Sequence, residues 1–528
     1  MNLNRRSFLR RAGGAVAGLG AASWTAGCGS LRGAAGSSEL PRSTPEAEGI
    51  PSAAILAFLD AAQQGGHELH SLMVLRHGRV AAGGWWAPYG PALNHTLYSL
   101  SKSFTSTAVG FAVAEGRLSV DDRVLPFFPE ARPASVNEHL AALRVRDLLC
   151  MASGHDKDPT HPIVKEEDWV RAFLGSSFAH PPGSRFVYNS EATYMCSAIV
   201  QRLTGQRILD YLRPRLFDPL GIEGMTWEVC PRGINTGGWG LSVPTGAIAK
   251  FGELLRRRGE WQGRRLLPAA WVDEATTFKM PQPVPASGER KDWHQGYGYQ
   301  FWRCRHNAFR GDGAFGQFMV VLPEQEAVVA ITSECRNLQG ELDLVWDHLL
   351  PAMKPRPLAA DARAHGRLLE RLAGLALPPP AGAAASSAAA GLAGRTFRIE
   401  PNESGLQSAR FDLRNGAGRV TLAGGAHVHA IDFGLGRWHR GETALPGTPP
   451  RLISGGAPKP GTPSKVAAAA AWKDDRTLEL VLRYIETPHR DTITCRFGDG
   501  AVRISFMNSI AAMGPKPKDP RPDLVGRS

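Results

Sequence analysis

Residues 98–104 read YSLSKSF, and the fold turns on whether Ser99 and Lys102 are a working pair or the polar start of an ordinary helix. The stretch stands where a strand-like beginning gives way to a helical pattern. Positions three apart on a helix share a face, so the Lys102 amine comes within reach of the Ser99 hydroxyl. A serine at a helix N-terminus also sits beside amide groups that stabilise negative charge. The competing reading makes Ser99 a helix N-cap and Lys102 a solvated side chain, and on this motif alone it is the stronger of the two.

Upstream, "SAAILAFLDAAQQ" has helical spacing, and in "SLMVLRHGRVAAGGWW" two apolar runs flank "RHGR", which reads as a hairpin. Downstream the pattern is helical through "SKSFTSTAVGFAVAEG", "DDRVLPFFPE", "LRVRDLLCMASG", "SEATYMCSAIVQRLTG" and "TGAIAKFGELLRRRGEW". Strands return at "GYGYQFWRC", "GQFMVVLP" and "EAVVAITS", and the amphipathic stretch "LQGELDLVWDHLLPAM" closes a unit over residues 45–353. Strands at both ends with helices between predict a mixed α/β (α+β) unit: an antiparallel sheet whose first and last strands meet, flanked by helices, with an inserted helical subdomain and a cleft between them. Residues 354–393 have a Pro/Ala/Gly-rich linker composition with a short helix at "ARAHGRLLERLAG". About eight short alternating runs within 394–512 predict a C-terminal antiparallel β-barrel or sandwich, and 513–528 reads as a disordered tail.

Composition is that of a folded protein: 43% hydrophobic and 21% charged residues over 528 positions, enough for two domains with real cores. The net charge of +12 includes Arg5, Arg6, Arg10 and Arg11, and removing these four leaves about +8, thinly spread. No nucleic-acid-binding signature accompanies it, so nucleic acid is not an expected partner. The four arginines belong to a twin-arginine leader over residues 1–28, followed by a linker over 29–44, and predict export to the periplasm. The leader ends in "TAGC", which resembles a lipoprotein cleavage box, so Cys28 is the expected lipidation site and membrane anchor; simple cleavage nearby is the alternative. The leader's own apolar part is too short to span a membrane. Six further cysteines, with no CxxC, leave disulfides and buried free thiols both open.

Two more segments tip the balance at Ser99. "PGSRFVYNS" (182–190) ends in Tyr-x-Ser and opens a helical pattern, and "RGDGAFGQFMVVLP" (310–323) is a glycine-bearing strand just before the last strand and helix. In this order with Ser-x-x-Lys, over roughly 45–353, they resemble the serine β-lactamase and penicillin-recognising superfamily, in its class-C-like, CubicO-type esterase and amidase branch. The "YNS" segment is most similar to relatives that hydrolyse aminohexanoate oligomers. The resemblance implies Ser99 as nucleophile, Lys102 as acceptor of its proton, Tyr188 as the second proton-transfer group, and the amides of Ser99 and Ala314 as an oxyanion hole.

Two positions depart from the family pattern. Ser190 replaces an asparagine that in the family holds the lysine and the acyl chain. Gly311-Asp312-Gly313 replaces Lys-Thr-Gly or His-Thr-Gly, so the cation that grips a carboxylate is missing and Asp312 is expected to repel one. Asp312 and the adjoining Gly313 thus join Ser190 and Ala314 as expected substrate-binding positions, with Asp312 either gripping a substrate ammonium or solvated in a turn. The chain has no G-x-S-x-G. The pairs His67/His70 and His427/His429 lack metal-ligand partners at suitable spacing, so no metal or organic cofactor is expected. The expected function is hydrolysis of a small ester or amide through an acyl-enzyme; the alternatives are a non-catalytic binding or sensing protein and a β-lactamase or D-peptidase.

Overall fold

The "RHGR" turn forms with His77 and Gly78 both at positive φ (+50° and +80°), the geometry of a two-residue hairpin whose twist matches its strands. It joins β1 (Leu69–Arg76) to β2 (Arg79–Trp85). The sheet is completed by β3 (Trp302–Arg303), β4 (Phe309–Gly313), β5 (Gln317–Leu322) and β6 (Ala327–Ser333), in the order β2-β1-β6-β5-β4-β3. All neighbours are antiparallel, and β1 lies against β6 from Leu69↔Ser333 to Arg76↔Ala327. This computed structural model describes residues 39–283, 287–288, 291–414, 416–425, 427–453 and 462–528; the leader, Cys28 and most of the 29–44 linker lie outside the described residues.

Strands β1, β4, β5 and β6 are buried at every position, because both faces of the sheet are covered. Alternation sends Leu72, Val74, Val329 and Ile331 to one face, where they meet Ile55, Phe58 and Leu59 of α1 (Ser52–Gln64). Met73, Leu75, Val328 and Ala330 face the other way, towards the helices inserted between β2 and β3. Of these, α2 (Ser101–Ala114) runs through the middle with every residue from Ser101 to Ala112 buried. α3 (Ser190–Thr204) packs beside it, and α4 (Thr245–Arg256) lies on the sheet. The Asn189 side chain caps the start of α3 by accepting from the Ala192 amide, and Gly205 ends it in the left-handed region at φ +69°. "DDRVLPFFPE" departs from its helical reading: Pro126 and Pro129 break it into two 3₁₀ turns, Leu125–Phe127 and Pro129–Ala131. The final helical stretch starts as α5 (Leu338–Leu344).

Within 354–393, α6 (Ala362–Ala373) packs on α1. The C-terminal strands are β7 (Arg395–Ile399), β8 (Ser408–Arg414), β9 (Ala417–Gly424), β10 (His427–Leu435), β11 (His439–Thr443), β12 (Ser464–Asp474), β13 (Thr477–Tyr484), β14 (Arg490–Gly498), β15 (Ala501–Asn508) and β16 (Leu524–Arg527). They run in the order β10-β9-β8-β7-β16-β15-β14-β13-β12, and a parallel pairing of β10 with β12 (Gly434↔Ala469) closes nine of them into a barrel, with β11 added outside on β12. Alternate residues such as Ile493, Cys495 and Phe497 fill its interior. The reading of 513–528 as a disordered tail is corrected here. Leu524–Arg527 is a barrel strand bonded to both β7 and β15, which would otherwise each carry an open edge.

No helix among the described residues is long and apolar enough to cross a membrane. The six cysteines from Cys150 to Cys495 are free thiols, five of them buried.

Candidate active site

Ser99 sits in a single 3₁₀ turn, Tyr98–Leu100, that runs straight into α2. Its side chain caps neither helix. Lys102 is 1% exposed, so it is not a solvated side chain either. Its amine lies 3.0 Å from Ser99 Oγ, 3.0 Å from Ser190 Oγ and 2.7 Å from the Gly238 carbonyl oxygen. Burial pushes the amine down to about 7, against the pull of Asp158, Glu191 and Asp312. A neutral amine has two N–H groups and one lone pair. It can donate to Gly238 and Ser190 and still accept the Ser99 proton, which is the arrangement general-base chemistry needs.

Tyr188 closes the other side. Its ring centroid is 4.9 Å from the Lys102 Nζ. Burial drives the phenol up, with the neighbouring Ser99 hydroxyl opposing, so Tyr188 keeps its proton at neutral pH. Stacked on it is Trp302, with centroids 5.6 Å apart, and Tyr297, Phe186 and Trp293 continue an aromatic wall.

Ser190 needs a partial correction. The amide expected to hold the lysine is absent, yet the Ser190 hydroxyl makes that contact, because α3 delivers its first residue directly onto the amine.

Ala314 follows β4, which approaches the nucleophile closely. A Cβ on Gly313 would stand 2.1 Å from the Leu97 carbonyl oxygen, so the strand and the Tyr98–Ser99 segment touch backbone to backbone at a distance only glycine allows. This places Ala314 one residue beyond the contact and Ser99 two residues beyond Leu97.

Asp312 differs from both readings of it. It is buried and paired with Arg310 Nε at 2.9 Å. Residues two apart on a strand share a face. The Arg310 guanidinium, itself fully buried over Trp293 and 4.4 Å from that ring, therefore neutralises Asp312 from within. Burial raises Asp312 and Arg310 opposes it. The pair presents neither a free carboxylate for a substrate ammonium nor the net negative charge expected to repel a carboxylate.

Among possible metal ligands, His67 and His70 part company. His70 meets His95 (3.0 Å) and Glu68, whereas His67 Nδ1 lies 3.3 Å from Cys335 Sγ. With Glu341 these make a group of three donors all within 4.8 Å of one another, which could hold a metal. Burial raises Glu341 well above the ordinary carboxylate range and pushes the Cys335 thiol up to about 12, and the Ser333 hydroxyl donates to Glu341 at 3.1 Å. Their separation in sequence hid them. His427 and His429 are stacked neighbours on β10, with ring centroids 6.3 Å apart.

A cavity of about 400 Å³ next to Tyr98 is lined by Trp227 and Trp239 from the inserted helices' side and by Tyr484 and His489 from the barrel.

Comparison with known proteins gives the family. The family model described as Beta-lactamase matches residues 47–353. The 6-aminohexanoate-dimer hydrolase of Paenarthrobacter ureafaciens is 24% identical over 279 residues, which cover 49% of this chain and 71% of that protein. Among solved structures, a penicillin-binding protein homolog from Caulobacter crescentus is similar at TM-score 0.47 and 19% identity, over 56% of this chain and 97% of its own. EstCE1, a hydrolase with promiscuous acyltransferase activity, is similar at TM-score 0.47 and 16% identity, over 56% of this chain and 99% of its own. Matched over more than half its length by the family's model, the chain belongs to the Beta-lactamase family, a fold family of hydrolases.

Proposed function

We propose that the chain is a serine hydrolase that cleaves a small ester or amide through an acyl-enzyme on Ser99. The observation that carries this is the Lys102 amine, buried between Ser99, Ser190 and Gly238 and titrating near 7. A purely structural lysine pays desolvation for nothing in such a place, whereas a general base needs to be neutral at working pH.

In acylation the Ser99 proton passes to Lys102 Nζ as Oγ bonds to the substrate carbonyl carbon. The oxyanion is met by the amides of Ser99 and Ala314. The Tyr188 phenol gives its proton to the departing alcohol or amine as the scissile bond breaks, and the Lys102 ammonium returns the proton to Tyr188. Water then attacks the Ser99 ester with the same two groups working in reverse, releasing the acid and restoring both protonation states. The neutral Arg310–Asp312 pair and the aromatic wall support an uncharged or aromatic-bearing substrate over one recognised by its carboxylate. The similarity to the 6-aminohexanoate-dimer hydrolase supports hydrolysis of a small substrate.

The test is a pre-steady-state burst with p-nitrophenyl acetate together with intact mass. One acetyl adduct mapping to Ser99, absent in Ser99→Ala, is the expected result. No burst and no adduct in folded protein would refute the reading and favour a binding protein.

Residues 1–28 extend the proposal to export by the twin-arginine route and anchoring through a lipidated Cys28. Cys28→Ala should then move the protein from the membrane fraction to the soluble periplasm, and unchanged fractionation would refute the anchor.

A further inference from the structure

The barrel reaches the nucleophile from behind. The loop between β13 and β14, residues 485–489, docks on the catalytic unit: the Thr96 amide donates to the Glu486 carbonyl at 3.0 Å and the Tyr89 hydroxyl to the Thr487 carbonyl at 3.1 Å. At its end His489 is fully buried and hydrogen-bonded on both ring nitrogens. Nδ1 lies 2.9 Å from a carboxylate oxygen of Glu334, and Nε2 meets the Tyr98 hydroxyl. The Ser509 hydroxyl also stands 3.3 Å from Nδ1. A carboxylate only accepts, so the Nδ1–H donates to Glu334, and Nε2 of the neutral imidazole with that tautomer accepts from Tyr98. Arg490, the next residue, pairs with the other Glu334 oxygen.

What His489 touches gives it meaning. Tyr98 precedes Ser99, and Phe315 follows Ala314. Both are non-glycine residues in the left-handed region, at φ +49° and +66°. Each such conformation costs on the order of 1–3 kcal/mol and persists only where surroundings impose it. Here the two rings pack on one another, with centroids 5.3 Å apart, and both pack on His489, at 5.7 Å from Tyr98 and 4.7 Å from Phe315. A single imidazole therefore supports the two strained residues that flank the two amides proposed for the oxyanion hole.

We infer that His489 is a positioning residue for that oxyanion hole, supplied by the C-terminal barrel, acting through Tyr98 on Ser99 and through Phe315 on Ala314. This rests on the acyl-enzyme reading above. It gives the barrel a part in the reaction although His489 lies outside the matched residues 47–353.

The experiment uses the full chain and compares His489→Ala, His489→Gln and Tyr98→Phe, singly and with His489→Ala/Tyr98→Phe combined. It reads the p-nitrophenyl acetate acylation rate, KM and melting temperature. One lost oxyanion donor lowers kcat about 10²–10³-fold, so a misaligned pair should cost His489→Ala about 30–100-fold in acylation with KM within about threefold. Gln, which can accept from Tyr98 and donate to Glu334, should recover to within about fivefold. The double variant should be no slower than His489→Ala alone. Wild-type acylation rates in folded His489→Gln and Tyr98→Phe together with His489→Ala would overturn the inference, as would additive losses or a loss that follows melting temperature alone. If His489→Ala does not fold, Tyr98→Phe decides, by a loss of at least about tenfold or none. A wild-type protein that forms no Ser99 adduct would remove the underlying function as well, an outcome distinct from normal wild-type acylation with unaffected variants.

Discussion

Replacing Ser190 by alanine tests Lys102 as the base. The amine has three partners in the folded protein, Ser99 Oγ and Ser190 Oγ at 3.0 Å and the Gly238 oxygen at 2.7 Å. As an ammonium it donates to all three; as a neutral amine it donates to Gly238 and Ser190 and takes the Ser99 proton on its lone pair. Removing Ser190 strips the ammonium of a charge-assisted bond worth about 1.5–3 kcal/mol and the neutral amine of an ordinary one worth about 0.5–1.5 kcal/mol. The difference, about 1–1.5 kcal/mol, is about one pKa unit in favour of the neutral form. Acylation requires the neutral amine, so kcat/KM of the parent should rise with pH through about 7, where Lys102 titrates. In Ser190→Ala the same acidic limb should lie near pH 6, about one unit lower. The measurement is kcat/KM for a neutral ester from pH 5 to 9 in both proteins. A limb that stays in place, or moves to higher pH, would refute the assignment, since the titrating group would then not be the one Ser190 touches.

Three further outcomes follow from packing and charge. Lys102→Met should abolish acylation. It should also gain stability relative to the parent more at pH 7 than at pH 10, read by urea unfolding, because an unfolded lysine holds a proton between about 7 and 10.5 that the buried amine has surrendered. Gly313→Ala puts a Cβ 2.1 Å from the Leu97 carbonyl and must force β4 off the nucleophile segment, so acylation should fall at least about tenfold while secondary structure by circular dichroism is kept. Arg310→Met leaves Asp312 buried without its partner and should cost about 3–5 kcal/mol in urea unfolding, with Asp312→Asn added in the same chain recovering a large part.

What could be read from the sequence was whatever short-range pattern encodes. The His77–Gly78 turn between apolar runs announced the hairpin, and alternation in 395–508 announced the barrel strands, because each feature lies within ten residues. Ser99, Lys102, Tyr188 and Ser190 could be read as a candidate site because two local motifs hold them, and α2 and α3 bring those motifs together. Leu524–Arg527 was missed for the opposite reason: after "GPKPKDPRPD" a four-residue run has no local signal of its own, and only the edges of β7 and β15 give it a place.

The misreading of Asp312 shows where such reasoning stops and what that means for substrate. A triplet compared with a family pattern treats the residue as if its charge were free. In the fold, Arg310 shares its strand face and lies over Trp293, with Trp302 also within 5.5 Å. The pair is neutral, and its desolvation is offset by its own hydrogen bonds and by the aromatic rings rather than by a ligand. On the proposed function, selectivity at this corner comes from shape and from the aromatic faces of Tyr188 and Trp302, whose contribution falls off with poor fit and not with distance from a charge. The same holds for Tyr98 and Phe315. Both lie inside the quoted stretches, yet nothing local marks either, and their strained conformations are explained only when His489, 391 positions after Tyr98, is brought against both rings.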